Sequence, residues 1–133
     1  MGNLTSKRKP KTPKHFVNWF EIPVVDLERA VAFYNHLYGM EMQVVEQGDY
    51  AMALFPGDSK VGGALVKGQG CIPTESGSLL YLNASEDIST MLPRVTEMGG
   101  RIILPKTEII HDAGHFALFV DSEGNKLALH STK

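Results

Sequence analysis

The chain has 133 residues, 43% of them apolar and 21% charged, which fits one globular domain with a core that needs no disulfide support. A single cysteine, Cys71, excludes an intramolecular disulfide and suits a reducing compartment, and no apolar run approaches a membrane span. The charge is uneven: residues 1–14 carry five basic side chains and no acid, so against a net −2 the remainder carries −7, a poor surface for nucleic acid.

The opening "MGNLTSKRKPKTPK" is Lys/Pro-rich, without hydrophobic period, and is expected to be a disordered basic tail. "MGNLTS" fits the loose myristoylation pattern, but so short a match reads first as solvated tail. With no apolar h-region there is no secretory signal, so a cytoplasmic protein is expected.

From residue 15 the pattern is regular. "HFVNWFEIPV" is β-branched and aromatic and predicts a strand. "DLERAVAFYNHLYG" predicts a helix, with Asp26 as N-cap, an apolar stripe of Leu27, Ala30, Val31, Tyr34 and Leu37, and Gly39 just past its end. "MEMQVVEQ", "YAMALFPG" and "KVGGALVKG" predict three short strands. "GQGCIPTESGS" then reads as a flexible connector.

The order repeats. "SLLYLNA" predicts a strand, and "SEDISTMLPRVTEMGG" a helix capped by Ser85 and stopped at Gly99–Gly100, with Pro93 kinking or shortening it. "RIILPKTEI", "HFALFVD" and "NKLALHS" predict three further strands. At an offset of 61, Asp26-Leu27 matches Asp87-Ile88 and Gly39 matches Gly100. The expected fold is α+β: a single domain over residues 15–133, made of two βαβββ units at about 15–67 and 77–131. Each unit has one sheet face under its helix, and the other faces form a cup.

"IPVVDLERAVAFYNHLYGM" and "GHFALFVDSEGNKLAL" resemble the two signature stretches of the vicinal oxygen chelate superfamily, which includes glyoxalase I, extradiol dioxygenases and bleomycin-binding proteins. The resemblance covers about residues 15–131. It implies paired βαβββ units with curved mixed sheets, a pocket in the cup and, often, a homodimer. It is specific for fold and weak for activity.

The resemblance also implies where a metal would be held. In metal-using members the ligands come from the first and last strand of each unit. Counting seven residues back from the helix-capping Asp gives Trp19 and Leu80. The last strands give Ala128 and either Gly63 or Ala64. None of these donates a lone pair to a metal, so no metal site and no cofactor is expected; a divalent metal is the alternative.

The histidines of "HDAGHFALFVDSEGNKLALH" do not replace them. "DSEG" suits a type I turn followed by a glycine, a three-residue hairpin loop. Asp121 then pairs with Asn125, Leu118 with Ala128, and Phe116 with His130. Side chains alternate along strands, so Phe116, Leu118, Val120, Lys126, Ala128 and His130 share one face, and His115 lies on the other. His111 and His115 are separated by a turn at Asp112–Gly114.

The inner wall is expected to carry Val17, Trp19 and Glu21, then Leu80 and Leu82, then Phe116, Leu118, Ala128 and His130. Such a wall, mainly apolar with few polar points, suits a small organic ligand. Glu21 would act as general base or hold a cationic ligand if buried there; the bland reading pairs it with Lys126 or Arg101. Cys71, in the connector without a nearby His, is not expected to be a nucleophile.

The sequence therefore leads to a metal-independent, glyoxalase-like protein that binds a small apolar or aromatic molecule. A metal-dependent lyase or isomerase of the glyoxalase I type, or a metal-free enzyme using Glu21, are the alternatives. Neither a nucleic acid nor a membrane is an expected partner.

Overall fold

A computed structural model describes residues 12–57, 61–110 and 112–132; most of the basic tail, and His111, lie outside them. The first unit comprises β1 (Trp19–Pro23), α1 (Leu27–Tyr38), β2 (Gln43–Gln47), β3 (Tyr50–Leu54) and β4 (Gly62–Lys67). The second comprises β5 (Tyr81–Asn83), α2 (Ile88–Glu97), β6 (Arg101–Glu108), β7 (His115–Val120) and β8 (Lys126–Ser131). Each unit forms one open mixed sheet, ordered β1-β4-β3-β2 and β5-β8-β7-β6. The first strand of each unit pairs parallel with its last, and the other pairs are antiparallel. The expected α+β fold of two βαβββ units is the one observed.

Local chemistry sets the helix ends. The Asp26 carboxylate accepts from the Arg29 amide at 3.0 Å, and α1 ends at Gly39, whose φ of +66° costs a glycine little. In α2 the cap is Asp87, not Ser85: its carboxylate accepts from the Ser89 amide at 2.8 Å. Pro93 lies inside α2, which has 10 residues against 12 in α1. Gly99, at φ +92°, stops it as expected.

The helices cover one face of both sheets and share a single core. Phe33, Tyr34 and Leu37 of α1 and Ile88, Met91 and Val95 of α2 are buried with Ile22, Ala53, Leu65, Leu82, Ala117, Phe119, Leu127 and Leu129 of the strands. Strand alternation then places Trp19, Glu21, Ala64, Val66, Phe116, Leu118, Ala128 and His130 on the helix-free faces. Glycines shape β1's two sides. Any side chain at Gly63 would run into the Phe20 ring, and Gly62 leaves room for the Trp19 indole. No helix among the described residues is long and apolar enough to cross a membrane.

The β7–β8 turn joins the units. Asp121 pairs with Asn125 and the strand register is the expected one, Phe116 opposite His130 and Leu118 opposite Ala128. Gly124 takes φ +98°. The turn's side chains do more than close a hairpin. Glu123 has a wholly buried side chain that accepts from the Val25 and Asp26 amides at 2.9 and 2.8 Å and from Arg29 Nε at 2.6 Å. Asp121 accepts from the Tyr34 hydroxyl at 2.7 Å, and Asn125 donates to the Pro23 carbonyl at 2.7 Å. Burial opposes the charge on Glu123, but Arg29 and the Asp26 and Val25 amides outweigh it and hold the carboxyl at about 2.

That depressed value sets a pH window. The ionised carboxylate contributes fully above its ordinary range near ~4.3 and is lost as pH falls toward the folded value. Glu123→Ala should destabilise the fold by about 2–3 kcal/mol at neutral pH, since Arg29 can return to water while two backbone donors lose their acceptor. Melting followed from pH 7 to 2 should show the gap between wild type and variant closing below about pH 4.

Candidate ligand-binding site

Both β1 and β5 are edge strands, and residues of both line the seam-like gap between the two sheets. A hollow of about 430 Å³ lies there, lined by Phe20, Phe55 and Gly62 of the first unit and by Leu80, Tyr81 and Leu82 of the second. A second, of about 300 Å³, is lined by Glu21, Thr74, Leu80, Asn125 and Lys126. A third, of about 520 Å³, sits over the first sheet between Glu21, Met52, Val66, Tyr50 and the loop Gln69–Cys71.

The helix-free side carries large apolar groups in solvent. Trp19 is 48% and Tyr81 50% exposed, and the Tyr81 ring lies 6.2 Å from that of Phe116. Below them the strands are small: Ala64 is opposite Glu21, and Ala128 is opposite both Tyr81 and Leu118. Both alanines are fully buried.

The structure places most of the expected wall and corrects part of it. Trp19, Glu21, Phe116, Leu118, Ala128 and His130 lie on the helix-free faces as the alternation required. Leu82 does not: it is 6% exposed and belongs to the core beneath the helices. Leu80 packs against that same core, and Tyr81 takes the outer position. The reason is one residue of chain. Ile22 and Leu82 are equivalent buried positions, four residues before Asp26 and five before Asp87, so counting back from the second cap lands on the opposite face. Val17 precedes β1 and lines the end of the seam.

Glu21 is exposed rather than buried, and its oxygen Oε2 accepts from the Trp19 indole N–H at 3.1 Å. The enclosed setting expected for a general base is therefore missing. Neither suggested partner holds it: Arg101 pairs with Glu75 at 2.7 Å, and Lys126 makes no ion pair among the described residues. His130 does not reach it either, because its Nε2 bonds the Ala113 carbonyl at 3.0 Å. That bond requires the proton on Nε2.

Sequence reasoning missed Tyr50, Met52 and Cys71. The connector that holds Cys71 is tied down: the Thr74 amide donates to Asn125 Oδ1 at 3.1 Å, and the Thr74 carbonyl accepts from Lys126 at 3.2 Å. Tyr50 packs where a Gly68 side chain would stand, and its hydroxyl bonds the Gln69 carbonyl at 3.3 Å. Period-two alternation puts Met52 on this face once Ala53 is assigned to the core, which was the available signal.

The positions that hold metal in metal-using members of the fold can now be read in three dimensions. Gly63 faces the core, so the first unit's last-strand position is Ala64. With Trp19, Tyr81 and Ala128 it offers two alkyl groups, an indole N–H that only donates, and one neutral phenol. These side chains do not fit a divalent cation. His115 and His130 point to opposite faces of the second sheet, and among the described residues no group of three His, Cys, Asp or Glu side chains converges.

Comparison with known proteins agrees with this architecture. A family described as bleomycin resistance protein-like N-terminal matches residues 17–53. A glyoxylase-like domain-containing protein from Didymella fabae is 30% identical over 118 residues, 85% of this chain and 91% of that protein. Glyoxalase I from Zea mays superposes with a TM-score of 0.65 at 21% identity over 86% of this chain; it is the longer protein, with only 45% of its length matched. A glyoxalase/bleomycin resistance protein/dioxygenase family enzyme from Burkholderia phytofirmans gives 0.64 at 14% identity, over 87% of this chain and 98% of its own. The likeness to these two structures shows a shared fold. With the paired βαβββ units and the relative from Didymella fabae, the chain belongs to the glyoxalase-like proteins of the vicinal oxygen chelate superfamily.

Proposed function

We propose that this chain binds a small, mainly apolar or aromatic organic molecule on its helix-free face, and does so without a divalent metal. The observation that carries the reading is the pairing of half-exposed Trp19 and Tyr81 with small residues opposite them on the neighbouring strands, Gly62 and Ala128. Large aromatic surface left in water gains free energy when a ligand covers it, at roughly 25 cal/mol per Å². Small side chains below leave room for that ligand. Hollows of 300–520 Å³ are of the size that small molecules occupy.

The same positions argue against glyoxalase I chemistry. A Lewis-acid site needs about three protein ligands, and two alanines, a tryptophan and a neutral tyrosine do not supply them. Glu21 has the wrong setting for a metal-free base, since water competes for the proton it would take. Binding, as in sequestration of a toxic or signalling compound, fits better than turnover.

Two results are expected. Purified, untagged protein should carry no stoichiometric zinc, nickel, manganese or iron after dialysis, and added metal should neither raise its melting temperature nor create lactoylglutathione lyase activity. Near one equivalent of metal per chain by elemental analysis would overturn the reading. A thermal-shift screen of aromatic compounds should give stabilising ligands, because binding favours the folded state by mass action. Those ligands should change the fluorescence of Trp19, the single tryptophan, and Tyr81→Ala should weaken them about tenfold, the effect of losing about 1.4 kcal/mol of ring contact.

A further inference from the structure

We infer that the 520 Å³ hollow over the first sheet takes an organic cation, an apolar or aromatic body carrying an amine or quaternary ammonium group. This names the ligand class for the binding reading above and rests on it.

Among the residues that line this hollow, Glu21 alone carries a formal charge. Four of the described cations are engaged elsewhere: Arg29 with Glu123, Arg94 with Glu86, Arg101 with Glu75 and Lys106 with Asp87, each at 2.6–3.1 Å. The one polar partner of Glu21 is the neutral Trp19 N–H on Oε2, so Oε1 has no protein partner among the described residues. A carboxylate in this state attracts cations and repels anions, and the −7 balance of residues 15–133 adds to the field.

The rest of the lining suits the organic part of such a molecule. Tyr50 offers a ring held by its bond to the Gln69 carbonyl, and ring faces attract ammonium groups through the ring quadrupole. Met52 and Cys71 add polarisable sulfur, and Val66 an apolar floor. A hydrated metal ion would gain little from these walls, whereas a weakly hydrated organic cation would gain from all of them. Two lysines compete: Lys126 shares with Glu21 the adjoining 300 Å³ hollow without pairing to it, and Lys67 lies with Tyr50 in a neighbouring hollow.

The test titrates the full chain while following the Trp19 indole N–H by NMR. Three probes of one size are used: benzyltrimethylammonium, its uncharged carbon isostere neopentylbenzene, and the anion phenylacetate. The cation should bind about tenfold tighter than the isostere, a gap of about 1.4 kcal/mol, and phenylacetate weakest. The gap should shrink as salt is raised from about 0.01 to 1 M. Glu21→Gln should abolish the gap and leave affinity for the isostere within about twofold. Lys126→Met should widen it. Gly68→Ala, whose new methyl group displaces the Tyr50 ring, should weaken the cation and leave the fold intact by circular dichroism.

Equal affinity for cation and isostere, or a gap that survives Glu21→Gln, would overturn the cation assignment and leave the apolar binding reading standing. Failure of all three probes to move the Trp19 signal would overturn both.

Discussion

Everything at the seam depends on one buried carboxylate. The end of β1 and the start of α1 form a corner in which the Val25 and Asp26 N–H groups find their acceptor in the other unit. Glu123 supplies it from 97 and 98 residues away, accepting from Val25 and Asp26 while Arg29 balances its charge. A negative group at a helix N-terminus also meets the positive end of the helix dipole. Asp121 and Asn125, both almost fully buried, complete the clamp through the Tyr34 hydroxyl and the Pro23 carbonyl. One hairpin turn of the second unit thereby fixes where β1 of the first unit lies, and with it the positions of Trp19 and Glu21.

The same turn organises the other border of the site. Asn125 also accepts from the Thr74 amide, and Lys126 donates to the Thr74 carbonyl. The segment between the units is thus anchored from Thr74 onward, and Tyr50 holds it at Gln69. The residues between, including Cys71, are pinned at both ends beside the hollow over Glu21. The polar network lies where two units must agree in position, while the ligand-facing surface is mostly apolar. Hydrogen bonds are directional and suit the first task; apolar surface is non-directional and suits the second.

Local patterns in the sequence revealed the elements. Helix caps at Asp26, Gly39 and Gly99, alternation in "HFALFVD" and "NKLALHS", and the "DSEG" turn led to the observed strands, register and faces. Two kinds of feature were not legible. The role of Glu123 is one: an acid in a turn normally faces water, and nothing near it in sequence signals a partner almost a hundred residues away. The face of β5 is the other. A three-residue strand is too short to display its alternation, and one extra residue before Asp87 put Leu82 in the core, turned Leu80 against it and brought Tyr81 out. For the site, Trp19, Glu21 and the β7–β8 residues lay on strands long enough to read. Tyr50 lies on β3 two residues before Met52 and was open to the same alternation, whereas Cys71 depended on how a connector folds back, which composition does not encode.

Amide hydrogen exchange, read residue by residue in wild type and Glu123→Ala, tests the clamp most directly. The account predicts that Val25 and Asp26 are protected in the wild type. In the variant they and the β1 amides, Trp19 to Ile22, should exchange at least tenfold faster relative to the global unfolding rate, while the β7 amides keep their relative protection. A uniform loss of protection across both sheets, or unchanged protection at Val25 and Asp26, would contradict the claim that the second unit's turn holds the first unit's binding strand in place.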